Sequence, residues 1–131
     1  MAIHARPRVL VVDDQPTGRW AMVMRLARWD LEVIQAHNGQ DAVDRCAEER
    51  FDLIFMDLRM PPGIDGIETT RLIRQQRGDN ARAPVIVYTS DAAYQERQVW
   101  SDAGFDGSIA KAVTDAALVE VLDRWKLLEN R

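Results

Sequence analysis

Only one cysteine, Cys46, occurs among the 131 residues. Neither an internal disulfide nor a multi-cysteine metal site can form, and a reducing compartment fits. Glycine and proline are sparse, at 7 and 5 residues, which excludes a low-complexity or collagen-like chain. No apolar run approaches the roughly 20 residues that cross a bilayer. The first residues, MAIHARPR, contain no apolar segment of the signal-peptide type. Positive charge is not in surplus either: 17 Lys plus Arg face 21 Asp plus Glu, for a net charge of −4. That balance argues against a basic nucleic-acid footprint. The expectation is a cytoplasmic protein with no membrane segment and no direct nucleic-acid contact.

What the chain has in quantity is apolar residues, 47% of the total, enough for one core in a domain of this length. Short β-branched runs alternate with longer segments of helical period. RVLVV, LEVIQA, LIFM, VIVY and GSIA predict strands at 8–12, 31–36, 53–56, 85–88 and 107–110. Three of them are apolar on both faces, as central strands of a covered parallel sheet are. Helices are predicted at 17–29, 40–49, 66–76, 92–103 and 114–128, the last with Leu118, Val119, Leu122 and Trp125 on one face. Asn38–Gly39 and the segment RGDNARAP supply turns. Five strand–helix units in strict alternation imply a parallel sheet with helices on both faces and right-handed crossovers. They consume the whole chain, so a single domain is expected over 1–131, with its core at about 8–128 and no output domain.

In a doubly wound sheet, ligands bind beyond the carboxyl ends of the strands. The residues found there are Asp13 and Asp14 after the first predicted strand, Asp57 after the third, Thr89 and Ser90 after the fourth, and Lys111 after the fifth. Asp57 ends a strand otherwise built for burial, in FMDLRMPPGIDG. Carboxylates converging on one edge repel, and a hard cation relieves the repulsion. Mg²⁺ takes oxygen ligands and is held by one or two carboxylates plus phosphate oxygens. No Cys or His stands at metal-ligand spacing, which argues against zinc. A hydroxyl and an ammonium complete a site suited to a phosphoryl group, and a carboxylate can act as its nucleophile. Each residue has a plainer reading as well. An Asp after a strand is often the N-cap of the next helix, Thr89 alone can be a strand-end residue, and Lys111 alone a solvated charge.

The stretches VLVVDD, DLIFMDLRMP, DGIETTRLIR, VIVYTS and SIAKA resemble, in order and spacing across nearly the whole chain, the receiver domain of two-component response regulators. The resemblance implies a flavodoxin-like (βα)5 doubly wound sheet of strand order 2-1-3-4-5. It implies that Asp57 accepts phosphate from a histidine kinase or a histidine phosphotransfer protein in a phosphorelay. Asp14 would ligate Mg²⁺ directly, Asp13 mainly through water, and the backbone carbonyl of Arg59 would be a further ligand beside Asp57. Thr89 would contact the phosphoryl group and Lys111 would pair with Asp57. Such a domain is not an enzyme on a separate substrate; it assists only its own phosphorylation and dephosphorylation. It would work as a monomer or weak homodimer and would signal to a protein partner through its fourth and fifth helices.

The chain departs from the family pattern in places. The loop RMPPGIDG is one residue longer, around Pro62–Gly63. Ala112 follows Lys111 where the family has proline, usually after a cis bond; here either a trans bond or a strained cis bond is expected. Ser108 stands where an aromatic ring acts as a packing switch, and Trp100 is read as a partly buried core residue. Arg59 and Asp91, two positions past Asp57 and Thr89, sit where receivers tune phosphate loss, and an ion pair across the mouth is expected. Two alternatives follow. One is a degenerate receiver binding partners without phosphate cycling. The other is a Mg²⁺-dependent aspartyl-phosphate phosphohydrolase, disfavoured because Arg59 stands where a second acid belongs. A dinucleotide-binding protein is disfavoured further, because the first turn reads DDQPTG and lacks the glycine fingerprint.

Overall fold

The structure is a computed structural model in which residues 6–128 are described. Five strands, β1 (Arg8–Val12), β2 (Glu32–Ala36), β3 (Leu53–Asp57), β4 (Val85–Thr89) and β5 (Gly107–Ala110), form one sheet of order β2-β1-β3-β4-β5, with every pairing parallel. The helices α1 (Pro16–Leu26), α2 (Gly39–Glu48), α3 (Gly66–Arg74), α4 (Arg97–Asp102) and α5 (Asp115–Arg124) alternate with them. The order matches the one implied by the sequence. β3 and β4 each run one residue further than expected, so Asp57 and Thr89 are the last residues of strands.

Alternation along the strands builds two cores. Leu10, Val12, Ile54, Met56, Val85 and Val87 face one layer with Ala42 and Cys46 of α2 and Ile73 of α3. Val9, Val11, Leu53, Phe55, Ile86 and Ile109 face the other, against Met22 and Leu26 of α1 and Leu118 and Leu122 of α5. β3 and β4 are buried throughout, as strands covered on both faces must be. Burial and the nearby Glu49 push the Cys46 thiol up to about 12, leaving an inert core residue.

The fourth predicted helix is divided. Ala92–Gln95 forms a 3-10 turn, Glu96 is extended, and α4 starts at Arg97. Residues 92–96 carry only Tyr94 as an apolar anchor, whereas Val99, Trp100 and Ala103 give the following turn something to bury; a helix without a buried stripe gains little from continuing. Trp100 packs against the first core. α4 then closes on Gly104 in the left-handed region, with φ 100°, the Phe105 N–H returning to Trp100 O at 3.0 Å. α5 stops at Arg124 rather than 128, by the same device built on Lys126 with φ 63°. The Leu127 N–H donates to Leu122 O at 2.8 Å. Val121 and Trp125 pack beside Leu118 and Leu122.

At the amino end of the sheet Asn80, expected only as turn material, is buried. Its Oδ1 accepts from the Phe51 N–H at 2.8 Å, and its Nδ2 donates to Cys46 O at 2.7 Å and to Glu49 O. One side chain thus ties the α2–β3 connection to the segment before β4. Asn80→Ala leaves a buried N–H and two carbonyls without that partner, and should lower the unfolding free energy by about 1–3 kcal/mol. Urea denaturation checks this; a loss within experimental error of zero would show the connection to be held by other means.

Candidate functional site

The carboxyl edge of the sheet is assembled by register. β1 pairs Val11 with Phe55 of β3, and β3 pairs Phe55 with Ile86 and Asp57 with Tyr88 of β4. Two residues beyond Val11 along the chain stands Asp13, so Asp13, Asp57 and Tyr88 form the next row on the same face. The apolar column ends and an acidic row begins. Asp13, Asp14 and Asp57 each offer a carboxylate oxygen within 4.8 Å of the others. Asp13 and Asp57 are buried and Asp14 is half-buried.

The N-cap reading of the two N-terminal acids does not hold. α1 begins on Pro16 with Gln15 as its cap and no side-chain cap bond. Asp13 Oδ1 accepts from the Gln15 N–H at 2.9 Å and Oδ2 from the Tyr88 hydroxyl at 2.6 Å. Arg19 Nη1 donates to the Asp13 carbonyl at 2.8 Å. Lys111 is not simply solvated either: its Nζ lies 3.2 Å from Asp57 Oδ1 and 3.3 Å from Asp13 Oδ2. Its following peptide bond is trans; among the described residues the cis bond is Pro61–Pro62. Thr89 is buried, and its Oγ1 accepts from the Asp91 N–H at 3.1 Å.

The longer loop is absorbed in a turn at 60–63, closed by the Gly63 N–H on Met60 O at 3.1 Å. The chain then returns to the end of β3: the Gly66 N–H donates to Leu58 O at 2.7 Å. A Cβ on Gly66 would collide with the carbonyl oxygen of Asp57, so only glycine lets α3 start there. Asp65 caps α3 through the Glu68 N–H at 2.8 Å. Arg59 Nη2 meets Asp91 Oδ2 at 3.0 Å, so the expected ion pair between the β3 and β4 loops is present. The Ala93 N–H and then Arg59 hold the Asp91 carboxyl below its ordinary value. Ser108 faces a small cavity of about 90 Å³ bordered by Trp100 and Trp125.

Electrostatically the two buried acids divide their roles. Burial pushes the Asp57 carboxyl up to about 7, Lys111 opposes this, and the Asp13 charge adds to the rise. Burial acts on Asp13 too, but bonds from Tyr88, the Gln15 N–H and Asp57, with the Lys111 charge, bring it below the usual carboxylate range. Of the two, Asp13 therefore holds its charge more firmly and Asp57 takes up a proton more readily. Three oxygen donors with no sulfur or imidazole suit a hard divalent ion.

The family model of the response regulator receiver domain matches residues 9–123. The chain belongs to the response regulator receiver family. This receiver is 36% identical over 123 residues to hybrid signal transduction histidine kinase E of Dictyostelium discoideum, covering 92% of this chain and 7% of that protein. It is 32% identical to the sensor protein GacS of Pseudomonas syringae pv. syringae, covering 95% and 14%. It is 36% identical to the transcriptional regulatory protein ResD of Bacillus subtilis, covering 95% and 48%. The chain thus spans half or less of each of these relatives. Among solved structures, the receiver domain of a sensor histidine kinase from Pseudomonas aeruginosa superimposes with TM-score 0.81 at 32% identity, covering 92% and 98% of the two chains. That structure carries a magnesium ion coordinated in its active-site cleft. Phosphorylation on aspartate is the function of this family, and its members partner with histidine kinases or phosphotransfer proteins. No helix among the described residues is long and apolar enough to cross a membrane.

Tyr88 is the residue of this receiver's site that sequence reasoning missed. The signal was available: period-two alternation puts it in the row of Asp57, and a buried tyrosine hydroxyl needs a partner. A consequence of the shared proton is testable with Mg²⁺ as probe. With Asp57 at about 7, its ionised fraction rises from about one tenth at pH 6 to about nine tenths at pH 8. Cation binding needs the ionised form, so affinity must rise with pH and binding must release a proton. Calorimetric titration should show Mg²⁺ bound about tenfold more tightly at pH 8 than at pH 6; equal affinities would contradict the raised Asp57 carboxyl.

Proposed function

We propose that Asp57 is the phosphoacceptor of this receiver, taking a phosphoryl group from the histidine of a kinase or phosphotransfer protein in a Mg²⁺-dependent reaction. The observation that carries this reading is the Lys111 ammonium, 3.2 Å from Asp57 and 3.3 Å from Asp13, at the edge where three carboxylates converge. Asp14, Asp57 and the Arg59 carbonyl are assigned as Mg²⁺ ligands, with Asp13 acting mainly through water. When bound, the ion neutralises the site and the charge on the phosphoryl oxygens.

A carboxylate oxygen of Asp57 attacks phosphorus while the bond to the donor's nitrogen breaks, giving an acyl phosphate. Lys111 remains beside Asp57 and meets a phosphoryl oxygen. The Thr89 hydroxyl donates to another, keeping its acceptor role towards the Asp91 N–H. Asp91 also caps the 3-10 turn before α4, accepting from the Ala93 N–H at 3.1 Å. A displacement of Thr89 is thereby passed to residues 91–96 and to the face formed by α4 and α5, where a protein partner reads it. Ser108 offers no ring to turn inward, so this route depends on the turn rather than on an aromatic side chain. The domain is assigned to the cytoplasm and acts on no separate substrate.

Incubation with acetyl phosphate and Mg²⁺, followed by intact mass, tests the assignment. One phosphate should add to the wild type, and none to Asp57→Ala or to protein treated with EDTA. No adduct under any condition would replace this reading with that of a receiver working by docking alone. The Arg59–Asp91 pair joins the loops that follow Asp57 and Thr89, and its proposed part is to hinder water rather than to stabilise the fold. Arg59→Ala should shorten the half-life of the phosphorylated protein severalfold, and an unchanged half-life removes that role.

A further inference from the structure

Tyr88 touches two of the groups assigned above and belongs to neither the metal ligands nor the phosphoryl contacts. We propose that Tyr88 is a positioning residue of the phosphorylation site, its hydroxyl fixing Asp13 and its ring fixing the Lys111 ammonium. The inference rests on the phosphoacceptor reading proposed above and deepens it.

The hydroxyl donates to Asp13 Oδ2 at 2.6 Å, in a bond buried from solvent. Asp13 Oδ1 is already taken by the Gln15 N–H at 2.9 Å. The two oxygens are thus anchored from opposite sides, by the α1 entry and by β4, and the carboxylate plane cannot rotate without breaking one bond. A carboxylate so held presents its remaining lone pairs in one direction, which is how outer partners orient groups around a metal. On the other side, Lys111 Nζ stands 4.7 Å from the centroid of the Tyr88 ring, within the range of a cation–π contact. The lysine side chain is 30% exposed, so solvent competes for its ammonium, and the ring gives it a face to rest on while it bridges Asp13 and Asp57. Phenylalanine keeps the ring and loses the donor; leucine or methionine loses both.

A tyrosine that merely filled the core would affect stability alone, and this separates the two readings. Mg²⁺ is titrated calorimetrically into the full chain as wild type, Tyr88→Phe, Tyr88→Leu and Tyr88→Met. Phosphorylation by acetyl phosphate is then followed by intact mass at saturating Mg²⁺, and melting is recorded without the ion. Y88F should weaken Mg²⁺ binding about tenfold, with the rate at saturating Mg²⁺ within about twofold of wild type. Y88L and Y88M should show the same loss of affinity and, in addition, a rate at saturating Mg²⁺ lowered about tenfold, as loss of the cation–π contact implies. A Y88F protein that binds Mg²⁺ as tightly as wild type overturns the proposal, whatever its melting temperature. So does a non-aromatic variant whose saturated rate equals that of Y88F. Y88F preserves the shape of the side chain and decides the matter even where Y88L and Y88M do not fold. A wild type that neither binds Mg²⁺ nor takes up phosphate would instead sink the phosphoacceptor reading of the site.

Discussion

The ammonium of Lys111 is the counterweight on which the carboxyl edge depends. Asp13 and Asp57 are buried a hydrogen bond's reach from the same nitrogen. Two anions so close in a medium of reduced dielectric repel strongly, and neither burial nor packing relieves them. A cation between them does so, at the cost of fixing a flexible side chain. What is left over is one shared proton and a third, more exposed acid in Asp14. The arrangement is therefore incompletely neutralised, and a divalent ion completes it. Ion affinity, the reactivity proposed for Asp57 and local stability all trace to one unbalanced charge count.

Placing that charge requires the apolar sheet beneath it. The central strands β1, β3 and β4 carry core residues on both faces until their last positions, and parallel pairing aligns those last positions across the sheet. The acids reach their meeting point because Val11, Phe55 and Ile86 stand in one row below them. A shift of one residue in the β1–β3 register would carry Asp57 to the opposite face, beside Val12 and Val87. Packing and chemistry thus share a single determinant. The β3–α3 loop adds its own restraint, since Gly66 lets the helix begin against the backbone of Asp57 itself.

Most of this was legible from sequence because it rests on strong periodic signals. Five short apolar runs in alternation with helical segments set the topology, and the polar residues at their carboxyl ends marked Asp13, Asp14, Asp57, Thr89 and Lys111. What was not legible depended on local balances that periodicity does not report. The break at Glu96 reflects how little apolar surface residues 92–96 can bury. The end of α5 is set by Lys126 adopting a left-handed conformation that glycine usually marks. Asn80 read as turn material because nothing in the sequence says that Phe51 N–H lacks a strand partner. The trans bond after Lys111 follows from how the loop closes in space, which the replacement of proline by Ala112 left open.

Tyr88 was missed for a different reason: it read correctly as a strand residue, and that reading was sufficient. VIVY is apolar enough to be counted as core, and a tyrosine in such a run raises no alarm. Its second role appears only when the partner strand is known, because the register decides whether the hydroxyl meets a carboxylate or an aliphatic side chain. A buried tyrosine carries an obligation that phenylalanine does not, and here the obligation is met by Asp13, 75 positions away in sequence. Burial, and then Asp13 beside it, push the phenol far above its ordinary value, so the hydroxyl keeps its proton and remains a donor. A donor that never ionises can hold a carboxylate in place through any change of charge at the neighbouring Asp57. That constancy is what separates a positioning group from the groups that exchange protons and phosphate around it.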